Sequence, residues 1–484
     1  MIKNIKGIIA IAIVAVVLVV ALLLLLLFPS KDADSSSELS SEPVKVFEVD
    51  KSTVTAIDVK NQNGEISLVK EGNDFKLKGK DSLPQNISKI SSVVSEVVKI
   101  EATQSVNKAP EDLSIYGLSE PKATITVSQN DGASHTILLG DEALNGGIYL
   151  KKGDSDEVFL VDAYDFYCYE YTNLDLYTTS TDTKATNENV KYVKLINGNK
   201  TVYELEVLSD EEIKKNEGTY QSIYEMVAPV KCATDTETVS KVINAISGFT
   251  FEKVVADEFD NKLLEEYGLL TPNIVFTYKY TVEETETDST TGETKVISTE
   301  SFKETIKIGK EKENGKYYAM FEGRDLIYSV SSSYVSAFND VTTDQMCASL
   351  VYITNINTVK NITVEGYNKT YSFDLLNSDA EDTEDMIVKY NGKEYPQDTF
   401  RKLYQVIIGT TQNGLSDNRT GSLEATITFN KTDGKKDVIS FYKIDDRNMF
   451  VKINGEGIYS VNKTSVEKIF SSCEKYINGE KITV

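Results

Sequence analysis

Ile57 and Val59, then Ile66 and Leu68, then Phe75 and Leu77 fall on alternate positions, the pattern of antiparallel strands with one face buried and the other in water. The period then changes. Ile87, Ile90, Val93, Val94, Val97 and Val98 recur at intervals of three and four, which predicts an amphipathic helix that Asn86 or Ser88 can cap. The same succession returns twice. Strand pairs open around Asn-Gly or Tyr-Asn from Val54, Val190 and Val359. Helical stripes follow, with Val239, Val242, Ile243 and Ile246 behind Asp235 and Thr236, and with Phe400, Leu403, Tyr404 and Ile407 behind Asp398. Hairpins come next, turning at Asp131-Gly132 in the first copy and Asp433-Gly434 in the third, residues that tolerate the positive φ of tight turns. Each copy closes on a short apolar strand bearing Phe or Tyr, ending at Val161, Val330 and Val461. A design repeated at this scale predicts a tandem array. The expected fold class is α+β, with modules of antiparallel sheet each covered by a helix, at residues 44–180, 187–345 and 355–484.

Two segments stand outside that scheme. The second module's hairpin is stretched over 280–304, and its middle, Glu283 to Glu304, is too polar to bury on either face, so a protruding arm or a disordered loop is expected there. Ahead of the modules, Ile8 to Phe28 runs 21 residues with neither a charge nor a polar side chain, enough to span a hydrocarbon core as a helix. Lys3 and Lys6 precede it, which places residues 1–7 in the cytoplasm, the anchor at 8–28, a serine-rich tether at 29–43 and the bulk of the chain outside the cell membrane. A cleaved signal peptide is the competing reading, disfavoured by the length of the apolar run and the lack of a small-x-small site after it.

Composition narrows function mostly by exclusion. The 484 residues carry a net charge of -24, and no basic cluster suited to phosphates follows the first few residues, so no nucleic-acid partner is expected. One histidine, His135, and four scattered cysteines, Cys168, Cys232, Cys347 and Cys473, cannot assemble a zinc site or a Ser-His-Asp set. The cysteines read as free buried thiols, with a long-range pair left open. No phosphate-cradling glycine loop is present. Ser67-x-x-Lys70, Ser105-x-x-Lys108, Ser465-x-x-Lys468 and Ser416-Asp417-Asn418 imitate fragments of penicillin-interacting enzymes but occupy non-equivalent places and lack the third signature. The acidic runs Asp154 to Glu157 and Asp379 to Asp385 match no calcium loop and read as solvated loops. Paired carboxylates for glycoside cleavage are a matter of fold rather than spacing, and the absence of Trp counts against a sugar-cleaving site. The chain therefore reads as non-enzymatic, with no catalytic residue, cofactor or metal. One feature suits recognition, the aromatic run Tyr164, Phe166, Tyr167, Tyr169 and Tyr171, for which packing between modules is the alternative.

Before the first hairpin stands Tyr116-Gly117-Leu118-x-x-Pro121, and before the second Tyr267-Gly268-Leu269-x-x-Pro272; the third copy keeps only Asn413 to Asn418. In both full copies a hairpin follows, then Leu139-Gly140 or Ile308-Gly309, then a tyrosine-bearing strand. This order resembles the bacterial family called domain of unknown function 4340, clearly from Val44 to about Tyr334 and faintly beyond. The resemblance implies a membrane-tethered, extracytoplasmic protein found with permeases and auxiliary subunits of ABC transporters, and it brings no catalytic residues. The motif itself reads as structural: Gly117 and Gly268 for a left-handed turn, Leu118 and Leu269 as core plugs, Pro121 and Pro272 for an extended approach to the hairpin. Tyr116 and Tyr267 are the members with a side chain suited to a partner. Two functions follow as expectations, an accessory or scaffold of an ABC-type transport system and a cell-surface module binding wall glycan or peptide.

Overall fold

The computed structural model describes residues 43–144, 146–215, 222–287, 289, 291–380, 385–416 and 421–484. The expected anchor at 8–28 lies outside them, as does the tether up to residue 42. Among the described residues no helix is long and apolar enough to cross a membrane.

Among the described residues, three large antiparallel sheets of eight, nine and nine strands carry the fold, beside a two-stranded one, Val44–Glu48 with Lys99–Ala102. From edge to edge the first runs Asp74–Leu77, Gly64–Glu71, Val54–Asn61, Ala123–Gln129, Ser134–Glu142, Gly147–Lys152, Val158–Asp162 and Gln104–Asn107. The second and third repeat this order and add one short strand at the leading edge, Cys232–Ala233 and Lys393–Tyr395. In all three, the helix after the first hairpin carries the chain across the sheet. In the second module the chain leaves the edge strand Cys232–Ala233, crosses as the helix Thr236–Ser247 and arrives at Lys253–Ala256 on the opposite edge. The helix buries the residues its periodicity marks, Val239, Val242, Ile243 and Ile246, and Asp235 accepts from the Thr238 amide at 2.9 Å to cap it. In the third module the helix is Gln397–Ile408, so Asp398 lies in its first turn, where a carboxylate suits the helix dipole, and extended Pro396 occupies the cap position.

The repetition extends to register. Ile57 opposes Leu68 and Val127, Val193 opposes Leu205 and Tyr278, and Ile362 opposes Phe373 and Phe429, all buried. The central pairing slips by one residue at the same place each time, between Val54 and Ala56, Val190 and Tyr192, and Val359 and Asn361. A bulge held in three copies adds twist to each sheet's middle. The face away from the helices is polar: Lys194 pairs with Glu204 at 2.8 Å in the second module, and in the third Asn361 donates to Ser372 and Asp374 at 3.0 and 2.9 Å.

Contacts divide the chain into two compact units. One holds the first sheet and comprises the described residues through Gly79 with Ile87–Thr172; the other takes Lys80–Asn86 and the described residues from Asn173 on, and so both later sheets. The stretched hairpin is ordered strand, Ile274–Thr287 against Thr294–Lys312, and beyond Val282 it is exposed on both faces. A two-stranded ribbon needs no core to satisfy its inner backbone groups, because each strand supplies the other's partners. Tyr280 stacked on Phe302 at 5.1 Å fixes its base.

Candidate functional site

The two full motif copies build one device. Ser114–Tyr116 and Asn261–Glu266 are short helical pieces, and each ends as the chain turns left-handed at Gly117 (φ 67°) or Gly268 (φ 71°). The Gly117 amide donates to the Ser114 carbonyl at 3.0 Å, and the Gly268 amide to that of Glu265 at 3.1 Å. Leu118 and Leu269 are buried. Beneath them lie Gly140 and Gly309, at a bulge in the second strand of each hairpin, Ser134–Glu142 and Thr294–Lys312. A β-carbon on Gly140 would come within 2.1 Å of the Tyr116 carbonyl oxygen, and one on Gly309 within 2.2 Å of the Tyr267 carbonyl oxygen. Only glycine allows the motif's backbone that close. Pro121 and Pro272, half-buried, lead into the strands Ala123–Gln129 and Ile274–Thr287. The rings differ between copies. Tyr116 meets Tyr149 edge-on at 5.0 Å and its hydroxyl accepts from Asn107 at 3.3 Å, whereas Tyr267 stacks flat on Tyr318 at 3.8 Å, with the Lys312 ammonium 5.4 Å from the Tyr318 ring.

Asn413 to Leu415 is not a worn copy of this motif. It forms the edge strand Gln412–Leu415, with Gly414 opposite Ser460 and Leu415 opposite Tyr459, the place held by Gln104–Asn107 and Lys253–Ala256 in the other sheets. The likeness in letters misled because Gly-Leu recurs readily by chance; strand order settles the correspondence.

The aromatic run separates by face. Phe166 and Tyr169 are buried, and the Tyr169 hydroxyl donates to the Val93 carbonyl of the covering helix at 2.7 Å. Tyr171 is half-buried beneath the Lys89 ammonium, while Tyr164 and Tyr167 stand in water.

Three features escaped the sequence reading. Cys232 and Cys347, expected as free thiols with a long-range pair left open, are joined in a disulfide with their α-carbons 5.9 Å apart. Their separation of 115 positions hides the pairing; what brings them together is the linker after the second module, which returns along the sheet edge so that Thr234 bridges Cys347 and the Ala348 amide donates to Ala233 at 2.8 Å. Cys168 and Cys473 are the buried free thiols, and burial pushes each up to about 12. Beside the disulfide opens a cleft of about 720 Å³, lined by the edge strand at Lys231 and Cys232, the linker at Leu350 and Ile353, and the hairpin at Ile453 and Glu456. Behind it Asp437 ties the linker to the third sheet, accepting from the Tyr352 hydroxyl at 2.6 Å, the Lys431 ammonium at 3.0 Å and Asn454 at 2.9 Å. Burial would raise the Asp437 carboxyl, but these three donors outweigh it and hold the group below the usual carboxylate range.

The remaining sites of possible chemistry resolve into local bonds. Ser67 donates to Asp58 at 2.5 Å, Ser105 to Glu157, and His135 shares a hydrogen bond with Gln129 at 3.0 Å while its ring meets Phe47. Asp154 pairs with Lys152 at 3.3 Å, and residues 381–384 of the second acidic run lie outside the described residues. Among the described residues no group of three or more His, Cys, Asp or Glu is placed to hold a metal ion.

A family model described as domain of unknown function (DUF4340) matches the chain twice, over residues 76–228 and 225–407. No curated protein and no solved structure matches it. The matched unit is out of step with the sheets: both matches begin in a third strand, at Asp74–Leu77 and Tyr224–Ala228, and run on into the next module.

Proposed function

We propose, from the premise that the chain belongs to the DUF4340 family, that it is a non-enzymatic protein held in the cell membrane by Ile8–Phe28. Its folded modules stand on the extracytoplasmic side, as an accessory or scaffold component of an ABC-type transport system. The observation that carries the placement is the Cys232–Cys347 disulfide, because such bonds persist where the compartment is oxidising and are rare where thiols are kept reduced. Lys3 and Lys6 ahead of the apolar run point the same way. Like modules in series, one bearing an exposed ribbon with unpaired edges, suit a protein that holds others by surface contact. Family likeness is what points to a transporter.

Affinity purification of the full chain from gently solubilised membranes tests this. Permease or ATPase subunits of an ABC system are expected at near-stoichiometric yield; their absence, under conditions that keep other membrane complexes whole, discards the transporter role. A second reading, a surface module for wall glycan or peptide, has the cleft beside the disulfide in its favour, since its volume falls in the range of small-ligand sites. Retention of the chain on wall material, without a permease, would replace the first reading by the second.

A further inference from the structure

Besides Ile87, which opens the covering helix, four large apolar side chains of the first module stand in water: Leu144 entirely, Tyr164 at 81%, Ile115 at 67% and Tyr167 at 48% exposure. Strand pairing places them at one end of the sheet. Gly147 opposes Asp162, so the turn bearing Leu144, closed by the Ala143 amide on the Gly147 carbonyl at 2.7 Å, and the helix Ala163–Phe166 bearing Tyr164 leave the sheet at the same end. Ile115 arrives there with the motif turn, whose Gly117 sits against Asp141. Tyr167 follows Phe166, and Asn61, the last residue of its strand, reaches the carbonyls of Tyr169 and Tyr171 at 2.6 and 2.8 Å.

The chain also enters the module at this end. Val44 pairs with Ala102, and the next residue, Thr103, donates its amide to Leu160, two positions before Asp162, at 2.8 Å. Residues 29–43 are all that separates this point from Phe28, a reach of roughly 50 Å even when fully extended.

We infer that this end of the first module rests on the bilayer surface, with Leu144, Tyr164, Ile115 and Tyr167 set into the headgroup and upper acyl layer. The inference rests on the anchored reading above. Isolated apolar residues on a surface mean little, but four on one rim, beside the point where a short tether arrives, have a partner at hand, and Tyr and Leu favour that layer. Asp141, Glu142 and Asp165 are exposed at the same end. They repel anionic headgroups, so the lipid that fits is zwitterionic and the contact is made by insertion of apolar groups.

Fluorescence quenching on the full chain in phosphatidylcholine vesicles tests it. Leu144→Cys carries the reporter dye, selectively because the native free thiols Cys168 and Cys473 are buried. Asp131→Cys, in the hairpin at the far end of the sheet, is the reference, and Phe28→Cys reports on the anchor. Nitroxide lipids should quench the dye at 144 at least threefold more than at 131; added phosphatidylglycerol should weaken that quenching at low salt, and salt should restore it. Quenching at 28 with none at 144 above the 131 level overturns this inference alone. No quenching at 28 removes the anchored reading and this inference with it.

Discussion

Gly309→Ala is expected to cost the second module about 3 kcal/mol or more, the larger part from unseating Leu269 and about 1 kcal/mol from a lost backbone hydrogen bond. The added methyl would sit 2.2 Å from the Tyr267 carbonyl oxygen, a rigid backbone atom, so the motif must lift. Lifting breaks the bond from the Lys310 amide to that carbonyl, 2.8 Å in the folded chain, exposes the buried Leu269 and separates the Tyr267 and Tyr318 rings. Gly140→Ala should do the same to the first module, where the corresponding approach is 2.1 Å. Urea unfolding is the measurement, with Gly248→Ala as reference: there φ is -92° and the nearest atom to the new methyl is 3.5 Å away, so a change within about 1 kcal/mol is expected. Equal, small effects at 140, 248 and 309 would mean that the motif does not dock as described.

Replacing the disulfide should weaken the second compact unit by about 3 to 5 kcal/mol, because a cross-link closing a long loop removes that much chain entropy from the unfolded state in the standard model. The loop spans 115 residues and contains most of the second sheet. Cys232→Ala with Cys347→Ala leaves two small apolar groups where two buried sulfurs were, so no polar group is stranded. A urea midpoint that falls in the oxidised wild type on adding reductant, and is insensitive to reductant in the double variant, is the expected pattern. An unchanged midpoint in the double variant would show that the linker is held by its backbone bonds to Ala233 and Asp235 alone.

What could be read from the sequence was local. Alternation marked the strands and three-four spacing the helices, since each depends only on which face a residue presents, and the triplicate order of those signals announced modules of one kind. Sheet order was out of reach: nothing near Lys253 or Gln412 in sequence says that these strands cross to the far edge, because that is decided by pairing with strands some 50 to 75 residues later, at Ser329 and Val461 for instance. The same non-locality hid the disulfide and the Asp437 junction. The motif was found, but half of its explanation sits in Gly140 and Gly309, which matter as the floor under a carbonyl. The aromatic run was ambiguous because packing and exposure alternate within it, Phe166 and Tyr169 inward, Tyr164 and Tyr167 outward. In the stretched hairpin, polarity argued correctly against a core and said nothing about order, which the ribbon draws from its own ladder.

The proposed placement of the folded modules outside the membrane underlies both the proposed role and the inferred bilayer contact. Protease added to intact cells whose wall has been removed tests it most directly. The account predicts that everything beyond the tether is digested, leaving a short membrane-bound fragment that contains Ile8–Phe28, while a cytoplasmic marker survives. A full-length chain that resists protease until the membrane is permeabilised would contradict it.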